Sequence, residues 1–169
     1  MIKTITTFLY ISGVLALGRL IPHPPNFTPI LAAAIFAPYM VNDKWLAMAV
    51  PLVAMFIADI VIGFHPFMLW VYGTIGLSTL ISYWSMRFGR KYIQLGGMAF
   101  VSSILFFIIT NFGIWSLGSH GYNHNLQGFL LCYNLALPFF AYSLISTFIF
   151  SGIIETIYKF CFIIYKTND

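Results

Sequence analysis

Residues 92–154 contain no Asp, Glu, Lys or Arg. Coiled as helix at ~1.5 Å per residue, that stretch is long enough to cross a ~30 Å hydrocarbon layer more than twice. It must therefore turn, and the place for a turn is GSHGYNHNLQG at residues 118–128, rich in Gly, His and Asn. The rest of the chain is built in the same way. Over 169 residues, 60% are hydrophobic and 7% are charged, against about 25% charged in an average soluble domain. A soluble fold of this size cannot hide so much apolar surface. The composition excludes a soluble enzyme, a disordered chain and a disulfide-stapled secreted domain. The apolar runs are continuous and do not alternate, which argues for helices and against a lipid-facing β-barrel.

Six helices are expected in a single domain, residues 1–169. The first runs from about Thr4 to Ile21 and ends before Pro-His-Pro-Pro. The second runs from Thr28 or Pro29 to about Val41, with Thr28 as N-cap and Pro29 at the first helical position. It is short enough to be re-entrant, and Pro38 is placed to distort its end. The third follows the Asn-Asp-Lys turn and reaches about Gly63, the fourth spans about Pro66 to Phe88, and the fifth about Leu95 to Leu117. The sixth starts near Gly128 and is too long for one upright crossing, so it must tilt or leave the membrane before Lys159.

Six crossings put seven bases on one side: Lys3, Lys44, Arg87, Arg90, Lys91, Lys159 and Lys166. The other side keeps only Arg19. By the positive-inside rule both termini are cytoplasmic. Lys3 and the apolar run after it resemble a secretory leader, but GRLIPHPP follows with no small-x-small cleavage site, so the segment reads as a retained first helix. Cys132 and Cys161 are 29 residues apart on one helical segment and cannot pair within the chain.

This topology gathers recognition chemistry on the outer side, where His23, His65, His120 and His124 all fall. Asp59 is the costliest residue, an ionisable group about one turn inside the third span. It is either half of an Arg19–Asp59 clamp between helices, or a carboxylate that serves a binding cavity or a proton. Pro22, Pro24 and Pro25 forbid helix and make a stiff extended link. That link is a plain connector, or it holds Asn26 above a cavity. Asn111 and Trp115 share a helix face. An unpaired amide at Asn111 is costly in an apolar layer, so it bonds a neighbouring helix or faces a ligand, while Trp115 also suits an interfacial belt. His120 and His124 have metal-ligand spacing only on a helix, and Gly121 and Asn123 argue for a loop, so no metal site is assigned. No Walker, GxSxG or HExxH motif is present. Small residues recur four apart at Ser12 and Ala16, Ala33 and Ala37, Ala54 and Ala58, and Ser78 and Ser82, a spacing that lets helices approach closely or docks a partner.

The strings RLIPHPPNFTPI from Arg19, ADIVIGFH from Ala58, FFIITNFGIW from Phe106 and CYNLALPFF from Cys132 resemble a family of small uncharacterised bacterial membrane proteins to which transport is ascribed. That family is similar to the substrate-binding S components of energy-coupling factor (ECF) vitamin transporters. The resemblance implies an all-α integral membrane protein of the inner membrane, a six-transmembrane-helix bundle like an ECF S component, with a solute cavity near its outer surface. It also implies a partner, a coupling membrane protein with two ATPases, docked through an Ala-x-x-x-Ala motif on the first helix. Ser12-x-x-x-Ala16 is the nearest match here.

The expected function is capture of a small vitamin-like solute for uptake, with no catalytic step, no cofactor and no nucleic-acid partner. Candidate solute contacts are Arg19, Asn26, Asp59, His65, Asn111, Trp115, Tyr122 and Asn123. Two other classes stay open. One is a membrane-embedded enzyme acting on lipid through the outer histidines and Asp59, although no second carboxylate or clear nucleophile stands near. The other is a non-transporting scaffold or assembly factor, in which the outer polar residues would tolerate substitution.

Overall fold

The computed structural model describes residues 2–41, 43–88 and 92–167, with the side chains of residues 11–41, 43–86, 88 and 93–159. Lys3, Arg87, Arg90, Lys91, Cys161 and Lys166, used above for orientation or pairing, lie outside the described side chains. Among the described residues, six α-helices make up the fold: α1 (Ile2–Leu20), α2 (Ile30–Met40), α3 (Lys44–Ile62), α4 (Met68–Ser85), α5 (Tyr92–Ser116) and α6 (Leu126–Thr167). Single 3₁₀ turns follow α4 (Met86–Phe88) and α5 (Ser119–Gly121), and the described residues contain no strand. Each helix lies within a few residues of its expected place. Three of them supply stretches long and apolar enough to cross a membrane, Lys44–Ile62, Ile93–Ser116 and Leu126–Lys159.

The helix starts differ from expectation. Pro29 occupies the N-cap of α2, and no side chain caps that end. Thr28 is not the cap. A side-chain cap stands instead at α3, where Asp43 accepts from the backbone N–H groups of Trp45 and Leu46, both at 2.9 Å. Pro38 does not end α2, which continues to Met40.

The six helices alternate in direction. Ser12 donates to the Val50 carbonyl and Arg19 to Asp59, so α1 and α3 run parallel. The link at residues 21–29 and α2 together bring the chain back between them. Asp59 meets Tyr72 across the α3–α4 turn. The Trp70 and Phe112 rings meet between α4 and α5, and Ile108 meets Tyr133 between α5 and α6.

α2 is the axis of the bundle. Its 11 residues make a rod of about 16 Å, half the ~30 Å of a hydrocarbon core. It is apolar all round, as a helix enclosed by others must be, and residues 30–38 are buried in unbroken succession. It touches all five other helices. Ile30, Leu31 and Ala34 pack on Ala54 and Met55 of α3 and on Val71 and Ile75 of α4. Ile35 and Phe36 pack on Leu95, Met98 and Ala99 of α5.

The rest of the bundle reverses the pattern of a soluble protein. Large apolar side chains such as Val61, Leu69, Ile93 and Leu130 point outward, while Thr74, Ser78, Thr79, Ser82, Ser102 and Thr147 are buried. Small hydroxylated residues let helices approach closely in lipid, and several donate to their own helix four residues back, as Thr74 does to Trp70 and Thr147 to Ser143. All eight small residues of the four-apart pairs are buried inside the chain. Ser12 and Ala16 therefore serve the packing of α1 and are not open to a partner.

Candidate functional site

The link between α1 and α2 does not pass over the bundle but descends into it. Gly18 makes room, because a Cβ there would sit 3.2 Å from the Pro29 ring. His23 ties the link to α1, with Nδ1 2.8 Å from the Pro24 carbonyl and Nε2 3.1 Å from the Arg19 carbonyl. Asn26 takes a left-handed φ of 63°, which Asn tolerates better than most residues. Its carbonyl accepts from Ser146, midway along α6, and the next ring, Phe27, meets Phe150 edge-on. Ile30 begins α2 level with Met55, Val71 and Ile75. The N-terminus of α2 is thus recessed by about two turns from the neighbouring ends of α3 and α4.

This recess leaves a cavity of about 270 Å³, lined among others by Arg19, His23, Asn26, Thr28, Phe106 and Ser143. A smaller hollow of about 100 Å³ shares Asn26, Val71, Phe106 and Ser143 with it. It is walled by Phe67, Phe107, Phe139 and Phe140, with Thr110 and Asn111 as its polar members. The two form one site with a polar end and an aromatic end.

Asp59 supports this site from behind. It is fully buried and lines neither hollow. Its Oδ1 accepts from Arg19 Nη2 at 3.0 Å and its Oδ2 from the Tyr72 hydroxyl at 2.8 Å. A carboxylate buried among helices needs such partners, because the interior replaces water poorly. The pair holds the guanidinium at the cavity wall, and its Nε is buried with no hydrogen-bond partner among the described residues. His65 lies in the adjoining α3–α4 turn. Burial pushes its pKa down, opposed by the nearby Asp59 charge and reinforced by Arg19. Its ring packs on Phe67 with centroids 4.2 Å apart, and Nδ1 is buried without a partner.

The eight expected contacts therefore divide. Arg19 and Asn26 line the main cavity, and Asn26 and Asn111 the smaller one. The Asn111 amide donates to the Phe107 carbonyl of its own helix at 2.7 Å and to no neighbouring helix. Asp59 and His65 stand behind the wall. Trp115, Tyr122 and Asn123 line neither hollow. Trp115 stands in the last turn of α5 and Tyr122 and Asn123 in the α5–α6 turn, where Trp115 Nε1 donates to the Asn123 carbonyl at 3.0 Å and its ring meets Phe129 edge-on. Trp115 is a fastener of that turn. Tyr72, Thr28, Phe106 and Ser143 were missed. Tyr72, Phe106 and Ser143 are ordinary span residues by type and Thr28 an ordinary link residue, and only the packing brings them to the site. Among the described residues no group of three or more His, Cys, Asp or Glu side chains could hold a metal.

A family model described as "Family of unknown function (DUF6580)" matches residues 1–166. No curated protein and no solved structure matches the chain.

Proposed function

The chain belongs to this family of unknown function, DUF6580, and within it we propose a solute-binding protein of the inner membrane. It crosses six times with both termini in the cytoplasm, and it captures a small vitamin-like solute from outside for uptake. The observation that carries this reading is the recessed cavity, walled on one side by the 21–29 link and lined by Arg19, Asn26 and Thr28. A helical bundle in lipid gains nothing from a polar hollow at its axis unless something enters it. The alternating helix directions and outward-facing apolar side chains support the six crossings. Unequal helix lengths fit as well, since α2 completes its crossing together with the extended link.

Capture needs no catalytic group, and this chain supplies none in the proposal. Inward release takes energy from a partner, for which a coupling membrane protein with two ATPases is the candidate. Because Ser12 and Ala16 are buried, such a partner would use another surface.

The test is thermal unfolding of the purified full-length protein in detergent against a panel of vitamins and related small solutes of every charge. Stabilisation by one of them, lost in Asn26→Ala and kept in Trp115→Phe, supports capture in this cavity. A panel without a single hit, or hydrolysis of added lipid, would overturn the reading.

A further inference from the structure

We infer that the site selects small amphipathic carboxylates, with the negative group on Arg19 and an aromatic or alkyl body among Phe106, Phe107, Phe139 and Phe140. This rests on the capture reading above and narrows it to one chemical class.

Charge sets the polar end. Arg19 is the charged residue lining the main cavity, and no Asp or Glu lines either hollow. Asp59 cannot serve a cationic solute, since it is wholly buried with both oxygens engaged. It does fix the guanidinium. An arginine already oriented by a buried carboxylate, itself held by the Tyr72 hydroxyl, loses little side-chain freedom when a ligand arrives. The recessed start of α2 acts in the same sense. Ile30 and Leu31 line the cavity, no side chain caps that end, and a helix N-terminus carries a partial positive charge.

Shape sets the other end. The smaller hollow, which shares Asn26, Val71, Phe106 and Ser143 with the main cavity, is walled by phenylalanines. The main cavity, about 270 Å³, lies at the lower edge of the roughly 300–1,000 Å³ of small-molecule sites. One ring or a short chain bearing one carboxylate suits that space, whereas a nucleotide or a sugar polymer does not.

The test uses pairs of the same shape that differ at one group, a carboxylate against its neutral amide: benzoate against benzamide, and nicotinate against nicotinamide. Acetate and inorganic phosphate serve as anions without an apolar body. Binding to the full-length protein in lipid nanodiscs is measured by calorimetry. Each carboxylate is expected to bind at least about tenfold tighter than its amide and tighter than acetate or phosphate. The difference should vanish in Arg19→Gln. Because that variant strands a buried carboxylate, the double variant Arg19→Gln with Asp59→Asn is measured beside it, and it too should lose the preference. Equal binding of amide and carboxylate, an undiminished preference in the double variant, or phosphate binding as tightly as benzoate would each overturn the inference. Binding of only neutral or cationic solutes from the wider panel would overturn it and leave capture standing. No binding of any solute would overturn both.

Discussion

Arg19 Nη2 lies 3.0 Å from Asp59 Oδ1, joining the end of α1 to the last turn of α3 across 40 residues of chain. The aspartate is wholly buried, whereas the arginine keeps about a fifth of its side chain exposed. One partner is therefore sealed in the bundle and the other looks into the cavity. Removing Arg19 leaves a buried charge alone, and the expected cost of Arg19→Ala is about 3–5 kcal/mol. The double variant Arg19→Gln with Asp59→Asn should cost clearly less than the sum of its single changes. Tyr72→Phe, which removes the second donor to the same carboxylate, should cost about 1.5–3 kcal/mol. A double-mutant cycle read by unfolding in detergent checks all three, and additive costs would contradict the coupling.

Ser82 donates to the Ile35 carbonyl at 2.5 Å, one turn before Pro38. Pro38 lacks the N–H that would bond the Ala34 carbonyl four residues back, so the turn that holds Ile35 is already one hydrogen bond short. The Ser82 hydroxyl supplies a donor in a place that no water reaches. Ser82→Ala should cost about 1–3 kcal/mol, and Ser82→Cys should restore little, since a thiol donates weakly. Unfolding of the two variants measures this, and a neutral Ser82→Ala would refute it.

Gly113 on α5 lies against Trp70 of α4, and a Cβ at that position would fall on the indole ring. Gly113→Ala is expected to displace Trp70 from its edge-on contact with Phe112. The cost should be about 1–3 kcal/mol, as for other overpacked cores. A shift in tryptophan fluorescence should accompany the lower stability. Gly152→Ala, where the added carbon meets open space within α6, is the control: it should leave the fluorescence unchanged and should not lower stability, since Ala favours a helix over Gly by about 0.5–1 kcal/mol.

His65 gives stability a pH slope. Its folded pKa lies below the ordinary histidine value, chiefly because it is buried, so the folded protein resists the proton more than the unfolded chain does. Stability is then full above pH ~6.5 and falls as pH drops from there toward the depressed folded value. His65→Gln should flatten that part of the profile, as read from unfolding midpoints between pH 5 and 8 (roughly the range of histidine titration). A slope unchanged in the variant would place its origin elsewhere.

Sidedness has its own measurement. Cysteines placed singly at Lys44 and His120 in otherwise cysteine-free protein should react from opposite faces of the membrane. An impermeant maleimide added to whole cells should reach the His120→Cys site, and the Lys44→Cys site only after the membrane is opened. Labelling of both from outside would refute the six-crossing arrangement.

The number of helices and their approximate bounds were readable from the sequence, because charges, prolines and the Gly-rich turn interrupt the apolar runs. The high cost of Asp59 in lipid also pointed to Arg19 as its partner before any packing was known. The order of layers was less readable. Lipid and a protein core are both apolar, so hydrophobicity does not say which face of a span turns inward. Val61 and Ala58 are neighbours on α3, one exposed and one buried, and composition treats them alike. Trp115, grouped with the cavity because it shares a helix face with Asn111, and Tyr122 and Asn123, grouped with it by expected side, instead belong to the end of α5 and a turn that closes on it.

The sequence by itself determined that this chain must satisfy its backbone inside helices and show an apolar exterior, since so few charges leave no other solvent for it. Only the tertiary structure decided that the shortest helix becomes the axis, that the proline-rich link sinks to meet α6, and that Arg19 faces a cavity while Asp59 stands behind it. Those outcomes depend on where helices of unequal length end relative to one another. Contacts between distant parts of the chain set that, and residue pattern along one segment does not encode it.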